Sequence, residues 1–371
     1  MDTTYIDREY TQRLEKIEAV LQAWLPEIPD PASLGNGWMT HVFAGIDGTI
    51  APDLVRSLTQ PGWDLCKRGG KRWRPLLMTL IGEALGGGDR ALPLTPLVEF
   101  PHTASLIHDD IEDHAEERRG GPAIHIRYGT DTAINAGTFM YFLPLSCISS
   151  WDASAAQKTQ VFTLWGAYMR RLHLGQAMDI RWHRDFSSLP SLEAYDLMCR
   201  LKTGSLARLA AVLGVLAGAE RARFGQKDDP INLLGKAAEN GGVGFQILDD
   251  VKNLTTGNPG KRRGDDVVEG KKSLPVILYL HRNPERREWV TRCFAAARKR
   301  GIAADEVEEL ITTLTASGVL AEAAEQGRRL LREAREVFDQ LPGAGEQVPS
   351  GSGSLLGGLL DFIGGVSRFK G

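Results

Sequence analysis

Long apolar runs are missing from this 371-residue chain: no stretch of about 18 consecutive apolar residues occurs, so the sequence predicts no membrane-spanning helix. The amino-terminal segment is charged and lacks the apolar core of a secretory signal peptide. Cysteine is scarce and never takes C-x-x-C spacing, which argues against a zinc site. The four cysteines are Cys66, Cys147, Cys199 and Cys293. These features predict a cytoplasmic protein with reduced thiols.

An excess of one charge is also missing. The sequence has 44 lysines and arginines against 47 aspartates and glutamates, a formal net charge of −3. A chain so close to neutrality has no overall field to steer it onto nucleic acid or an anionic membrane. With 42% hydrophobic and 25% charged residues, its composition is that of a globular protein and excludes disorder or a collagen-like fibre. We therefore expect no nucleic-acid partner.

Alternation typical of strands is nearly absent, and apolar residues recur instead at three- and four-residue steps. From residue 50 onward, long segments of this kind alternate with short glycine- and proline-containing breaks. The pattern predicts an all-α fold, a single large helical bundle over residues 1–340. Residues 341–371 read as a Gly/Ser linker followed by one short carboxy-terminal helix, weakened by its glycines.

One segment, SLIHDDIEDHAEERRGGP, ends an apolar helical pattern with Asp109, Asp110 and Asp113. On a helix, Asp109 and Asp113 share a face one turn apart, where like charges destabilise each other. Oxygen ligands of this kind suit Mg²⁺, which leaves its other positions to water and substrate phosphate. Arg118 and Arg119 follow, and arginine binds phosphate in a bidentate manner. Taken alone, the cluster is equally consistent with a solvated acidic loop.

A second acidic cluster lies much later in the chain. The segment GFQILDDVKN places Asp249 and Asp250 at the end of another helical pattern, and the four-residue step leads to Asn253. A loop rich in glycine and cations follows. Two such clusters on two helices can face each other across a bundle, as metal sites between helices do. The pair therefore favours a metal site over two unrelated acidic loops.

Further polar residues stand at positions that need a partner. In GGKRWRP, Lys71, Arg72 and Arg74 lie where glycines lead into a helix. Helix amides and three cations can hold a diphosphate, with a solvated basic surface as the alternative. Gln176 and Asp179 lie within an apolar pattern, where unpaired polar groups are costly to bury. They can hydrogen-bond to a ligand or, as we expect, to a neighbouring helix.

Together these elements resemble the trans-isoprenyl (polyprenyl) diphosphate synthases. The shared pieces are GGKRWRP, HTASLIHDDIED followed by RRGGPAIH, GQAMDI, KTGSLA, FQILDD and GKRRGDDVVEGKKSLP. The resemblance runs from about Gly69 to Pro275, and two Asp-rich motifs in this order with RRG between them are highly specific. It implies an all-α fold around a deep central cavity, with both motifs at its mouth, and a homodimer.

The resemblance also implies the site residues. Mg²⁺, about three ions per site with substrate bound, would be held by Asp109, Asp110, Asp113, Asp249, Asp250 and Asn253. Isopentenyl diphosphate would be held by Lys71, Arg72, Arg74, His102 and Arg119. The allylic diphosphate or the carbocation would contact Arg118, Lys202, Thr203, Gln246, Lys261 and Lys271. The five aspartates and Lys202 would be catalytic.

The implied reaction is condensation of isopentenyl diphosphate with dimethylallyl, geranyl or farnesyl diphosphate by Mg²⁺-assisted ionisation. Two departures from the family pattern stand out: Asn253 replaces a usual aspartate, and Gly137-Thr138 replaces Gly-Asp. They leave open a non-catalytic subunit that binds prenyl diphosphates. A class I terpene cyclase is a further alternative, although it has no second diphosphate to occupy GGKRWRP.

Product length depends on the helix that leads to Asp109. One helical turn is 5.4 Å, about the length of one isoprene unit. Relatives that stop at fifteen carbons usually carry a large aromatic residue four or five positions before this motif, where this chain has Ser105 and Ala104. The sequence therefore predicts geranylgeranyl diphosphate or a longer all-trans product. Phe139 and Tyr141, on a neighbouring helix, are candidates for the floor of the cavity.

Overall fold

A computed structural model describes residues 3–27, 38–43, 46, 50–218, 229–257, 262–341 and 352–365. The predicted all-α fold is confirmed, since nearly every described segment is helical. The helices of the first half are α1 (Thr3–Trp24), α2 (Trp38–Val42), α3 (Pro52–Lys67), α4 (Trp73–Ala84), α5 (Pro96–Glu112), α6 (Ile124–Tyr128), α7 (Thr130–Phe142), α8 (Ser146–Ser150) and α9 (Ala155–Arg184). Those of the second half are α10 (Leu192–Cys199), α11 (Ser205–Ala217), α12 (Pro230–Thr255), α13 (Asp265–Glu269), α14 (Leu274–Arg282), α15 (Arg287–Arg300), α16 (Asp305–Ala316), α17 (Val319–Phe338) and α18 (Ser352–Ile363).

Shorter elements connect these helices. A five-residue π-helical turn, Arg200–Gly204, joins α10 to α11. Strands β1 (Glu117–Arg118) and β2 (Gly121–Pro122) form a small antiparallel ladder directly after the first acidic motif. The 3₁₀ turns are Gly88–Leu94, Leu143–Leu145, Pro284–Arg286 and Gly301–Ala303. None of the described helices has the length and apolarity needed to cross a bilayer.

Two apolar clusters form the core, and α12 contributes to both. Around α4, α5 and α11 the first cluster buries side chains such as Met78 and Leu213. The second surrounds α14 to α17 and includes Ile277. From α12, Ala238 packs into the first cluster and Ile247 into the second. This double packing fixes the rotation of α12, and with it the direction of the aspartates at its carboxyl end.

The helices that carry the acidic motifs start with proline at the first turn. Pro96 begins α5 and Pro230 begins α12, positions at which the missing N–H of proline breaks no helical hydrogen bond. The Asp229 carboxylate accepts a hydrogen bond from the N–H of Ile231, which caps α12. At the other end of α5, Asp113 is the C-cap and His114 takes a left-handed φ of 56°, so the helix ends at the motif.

The short helix expected near the carboxyl terminus is present as α18, and it packs against the main bundle. Its Leu355 and Leu359 are buried in the first apolar cluster. The Tyr10 hydroxyl of α1 donates to the carbonyl of Leu355, and Arg335 of α17 pairs with Asp361 at 2.7 Å. The predicted linker lies largely outside the described residues.

Candidate active site

One cavity of about 270 Å³ lies between α5, α9, α10, α11 and α12, and both acidic motifs open into it. On α5 and α12 it is lined by Asp109 and Asp249, and one helical turn deeper by Ser105 and Phe245. On α9 the lining likewise changes from polar Gln176 at the mouth to apolar Leu172 one turn deeper. Three helices therefore give the cavity a polar mouth and a largely apolar interior.

Asp109 is the centre of the first motif. Its Oδ1 atom accepts hydrogen bonds from Gln176 Nε2 at 3.0 Å and from Lys202 Nζ at 3.3 Å. Lys202 Nζ also lies 2.6 Å from Asp179 Oδ2. Burial alone would lower the pKa of Lys202, but the two carboxylates raise it above its ordinary value. A permanently charged ammonium group is thereby held at the cavity mouth.

Asp110 does not line the cavity and is fully buried. Its Oδ1 accepts from Arg118 Nε at 2.8 Å, and the Arg118 side chain reaches the cavity wall. Burial raises the pKa of Asp110, while Arg118 opposes that shift. These contacts make Asp110 a support for Arg118, and they do not favour the predicted role as a Mg²⁺ ligand.

Asp113 ends the first motif, one turn beyond Asp109, and does not line the cavity. Its side chain is almost fully buried, and Lys271 Nζ lies 3.1 Å from its Oδ2 atom. His183 Nδ1 lies 3.8 Å from Oδ1. Burial lowers the pKa of His183 to about 4, so the imidazole is neutral at physiological pH. Burial also raises the pKa of Asp113, against the attraction of Lys271.

The second motif has its own set of partners. Asp250 accepts from the Tyr195 hydroxyl at 2.9 Å and from Gln246 Nε2 at 2.8 Å. The hydroxyl of Thr203 donates to Gln246 Oε1 at 2.7 Å, which ties the π-helical turn to α12. Burial raises the pKa of Asp250, and Asp266 raises it further. Asp249, Asp250 and Asp266 thus form an acidic wall opposite Asp109.

A buried positive cluster lies on the α4 side of the mouth. Arg74 is largely buried with its guanidinium 4.4 Å from the Trp73 ring centroid, and its Nε has no hydrogen-bond partner among the described residues. Burial lowers the pKa of Arg74 to about 10. Burial also lowers the pKa of His102 well below its ordinary value, and Arg74 and Arg119 add to the shift. An anion would compensate this charge.

Comparison with known proteins agrees with this geometry. A family model described as polyprenyl synthetase matches residues 55–314. The chain belongs to the polyprenyl synthetase family. It is 33% identical to a geranylfarnesyl diphosphate synthase of Aeropyrum pernix over 331 residues, covering 87% of this chain and 96% of that one. It is 30% identical to a geranylgeranyl diphosphate synthase of Methanosarcina mazei over 334 residues, covering 89% and 95%.

Solved structures of polyprenyl synthetases share the fold. Geranylgeranyl pyrophosphate synthetase from Pyrococcus horikoshii superposes with a TM-score of 0.73 at 27% identity, covering 94% of this chain and 99% of that one. A decaprenyl diphosphate synthase from Rhodobacter capsulatus has a TM-score of 0.75 over 99% of this chain and 100% of that one. At 20% identity, the second comparison bears on the fold alone.

Several predicted site residues of this polyprenyl synthetase have contacts other than those expected. Arg72 is buried and donates to Glu18, Glu99 and the Cys66 carbonyl, each at 2.7 Å. These contacts balance its charge inside the protein and do not support binding of diphosphate. Lys71 does not line the cavity either; its Nζ lies 5.2 Å from the ring centroid of Phe245, which does.

Asn253 is only 1% exposed and does not line the cavity. Its Oδ1 accepts from the backbone N–H of Asp266 at 3.1 Å, and its Nδ2 donates to the Arg262 carbonyl at 3.4 Å. Binding of a metal by the amide oxygen would break the first of these bonds. The structure therefore gives Asn253 a place in holding α13, not at the predicted metal site.

Of the four residues predicted to control chain length, Ser105 alone lines the cavity. Ala104 is fully buried against the core. Phe139 stacks on Phe43 with ring centroids 5.8 Å apart, and Tyr141 lies beside His173 at 5.0 Å. These three residues do not line the cavity. Its apolar wall consists of Leu106 on α5 itself and of four residues from other helices, Leu172, Met198, Leu206 and Phe245.

Four further residues singled out in the sequence have different outcomes. Lys261 lies outside the described residues. Arg119 does not line the cavity. Its backbone takes a left-handed φ of 51°, and its Nη1 donates to the Leu65 carbonyl at 3.2 Å. The expected bonds of Gln176 and Asp179 to neighbouring helices are confirmed by their contacts with α5 and Lys202.

Asp266 and Tyr195 were missed by sequence reasoning. Both line the cavity and bear on Asp250. A signal existed for Asp266, since it lies within the recognised segment GKRRGDDVVEGKKSLP. No such signal existed for Tyr195. It lies outside the segments that resemble the family, and its position depends on how α10 packs against α12.

The donor set at the mouth fits Mg²⁺. Asp109, Asp249 and Asp250 present carboxylate oxygens, the ligands that this ion prefers, from two facing helices. Within the described part of the chain, no three His, Cys, Asp or Glu side chains already converge as a finished metal site. An incomplete carboxylate set is what Mg²⁺ needs when substrate phosphate and water supply its other ligands.

Proposed function

We propose that this chain is a trans-prenyltransferase, condensing isopentenyl diphosphate with an allylic diphosphate into geranylgeranyl diphosphate or a longer all-trans product. One observation carries the proposal: an acidic wall and a buried cationic cluster meet at the mouth of a cavity whose next turn is largely apolar. Two diphosphates and a growing hydrocarbon chain need these three environments side by side. The names of the relatives from Aeropyrum pernix and Methanosarcina mazei agree with this reaction.

Asp109, Asp249 and Asp250 would hold Mg²⁺, up to about three ions with substrate bound. When bound, Mg²⁺ would stabilise the negative charge that develops on the departing diphosphate. Lys202 and Arg118 supply fixed positive charge at the same place. Because Lys202 is already positioned by Asp109 and Asp179, it needs no reorganisation when the C–O bond breaks.

Isopentenyl diphosphate would lie against Arg74 and His102, with the charge of Arg119 behind them. The unsatisfied Nε of Arg74 is a buried donor, and such a group costs about 1–3 kcal/mol until an acceptor reaches it. Neutral His102 can donate to a phosphate oxygen without adding charge. This pocket separates the second diphosphate from the ionising one, so the double bond can approach the allylic cation.

The apolar interior would protect that cation from water. Leu106, Leu172 and Leu206 line it from three different helices, so the wall has no single origin in the sequence. Exclusion of water prevents hydrolysis of a reactive intermediate. The small side chain of Ser105 leaves room one turn below Asp109, which supports a product of twenty carbons or more.

A homodimer is the proposed assembly. On α7, Phe142 is 60% exposed, and Leu174 of α9 is 57% exposed. The two helices are adjacent, since the rings of Tyr141 and His173 lie in contact between them, with centroids 5.0 Å apart. Ile134 and Phe162 are also exposed on these helices. A second copy of the chain would cover this apolar face.

The test is incorporation of radiolabelled isopentenyl diphosphate by the purified chain, with dimethylallyl, geranyl or farnesyl diphosphate as primer. We expect acid-labile radioactive product with Mg²⁺ and none with a chelator. Asp109→Ala should abolish it, whereas Asp152→Ala, at an exposed acidic residue outside the cavity, should not. Saturable binding without turnover would favour the non-catalytic subunit. Consumption of allylic diphosphate alone, with release of a hydrocarbon, would favour a terpene cyclase.

A further inference from the structure

The π-helical turn Arg200–Gly204 interrupts an otherwise continuous helix from α10 to α11. It carries Lys202 and Thr203, which contact Asp109 and Gln246. A π turn contains one more residue than an α turn needs and is less stable than regular helix. Relaxation to α-helix would rotate the following residue by about 100°, since each residue of an α-helix advances by that angle. The surroundings must therefore hold the turn in place.

Both sides of the turn are in close contact with neighbouring helices. A Cβ atom on Gly175 of α9 would collide with the backbone nitrogen of Lys202. On the opposite side, a Cβ on Gly204 would come within 2.9 Å of Glu239 Cγ on α12. The turn is thus packed between α9 and α12, and Glu239 contacts it from α12 at Gly204, one helical stretch away from the Thr203–Gln246 hydrogen bond.

Glu239 is 5% exposed and pairs with three arginines. Arg171 of α9 donates to its Oε1 at 2.5 Å, and Arg208 of α11 donates to its Oε2 at 3.3 Å. Arg200, the first residue of the π turn, lies 3.7 Å from Oε2 and also donates to Asn240 Oδ1 at 2.8 Å. One buried carboxylate of α12 therefore joins α9, the π turn and α11. None of these residues lines the cavity, and the proposed reaction does not use them.

We propose that Glu239 is a positioning residue that holds the π turn and so places Lys202 and Thr203 in the active site. The proposal rests on the proposed function, since it assigns a role in that same site. Without the carboxylate, Arg171, Arg200 and Arg208 repel one another across the turn. Lys202 then loses its fixed distance to Asp109 and Asp179, while the isopentenyl pocket on α4 and α5 is unaffected.

Glu239→Gln is the test, because it removes the charge and keeps the shape. A displacement of about 1 Å at a reacting group can cost about 100-fold in rate, so we expect kcat to fall by about 10- to 100-fold. The KM for isopentenyl diphosphate should change by less than about twofold. Glu325→Gln is the matched control, since Glu325 also pairs with two arginines but is exposed on α17; it should leave kcat unchanged.

Hydrogen exchange followed by mass spectrometry reports the turn without any need for turnover. In Glu239→Gln, amides of residues 200–204 should exchange faster, while those of α4 should be unchanged. Asn240→Ala breaks only the bond to Arg200 and should act in the same direction if Glu239→Gln fails to fold. Unaltered exchange at the turn, or wild-type kcat in a variant of an active enzyme, would overturn the positioning role. An inactive wild type with altered exchange at the turn would refute the proposed function and leave the structural role of Glu239 standing.

Discussion

Replacing Ser105 with phenylalanine is expected to shorten the product. Ser105 lies on the cavity wall one turn before Asp109, and its hydroxyl bonds only to the His102 carbonyl of its own helix. The substitution therefore leaves no distant partner unsatisfied. A phenyl ring at this position occupies the space through which a hydrocarbon longer than about one turn, 5.4 Å, must pass.

The magnitude follows from the cost of forcing a chain past a filled site. Overpacking costs about 1–3 kcal/mol, and each 1.4 kcal/mol is a factor of ten. Elongation of farnesyl diphosphate should therefore slow by about 5- to 150-fold relative to elongation of dimethylallyl diphosphate. The main product of Ser105→Phe should move toward fifteen carbons.

The assay is thin-layer chromatography of the dephosphorylated products, with each primer supplied in turn. Ala104→Phe is the matched control, because the same ring is added one residue away at a fully buried position that does not line the cavity. It should lower the midpoint of thermal unfolding instead of selectively shortening the product. An unchanged product from Ser105→Phe, or a shortened product from a fully stable Ala104→Phe, would refute this description of the wall.

Other predictions concern the mouth of the cavity. Arg74→Ala should raise the KM for isopentenyl diphosphate by about tenfold, which corresponds to the loss of one charge-assisted hydrogen bond. The KM for the allylic substrate should change little. Arg72→Ala should instead lower thermal stability, because it leaves the buried Glu99 carboxylate without its ion-pair partner. Asn253→Asp should lower thermal stability and give no gain in activity at low Mg²⁺, because a carboxylate cannot donate to the Arg262 carbonyl. Burial raises the pKa of Asp250, so bound Mg²⁺ must displace protons and should bind more tightly as pH rises.

Steady-state kinetics and calorimetry test these predictions. Steady-state kinetics with each substrate varied distinguishes Arg74→Ala from Arg72→Ala, and equal changes in both KM values would contradict the two-pocket description. Higher activity of Asn253→Asp at limiting Mg²⁺ would place residue 253 at the metal after all. Calorimetric titration of Mg²⁺ in buffers of different ionisation enthalpy counts released protons; affinity independent of pH would contradict the raised pKa of Asp250.

The order of helices and the two acidic motifs could be predicted from the sequence. Apolar spacing is local information, and it predicted the helical bundle that the structure contains. The motif at the end of α5 and the motif at the end of α12 were likewise readable, because like charges at the end of a helix need a compensating partner. The bonds of Gln176 and Asp179 followed from the cost of burying unpaired polar groups.

What the sequence could not determine is which member of each adjacent pair faces the cavity. Asp109 lines it and Asp110 is buried against Arg118; Ser105 lines it and Ala104 packs into the core. Consecutive residues of an α-helix point about 100° apart, so a small rotation exchanges their roles. That rotation is fixed by packing against other helices, such as α4, α7 and α11 beside α5. Tertiary packing also determines the role of Arg72. Its partners Glu18 and Glu99 come from α1 and α5, and they neutralise its charge inside the protein.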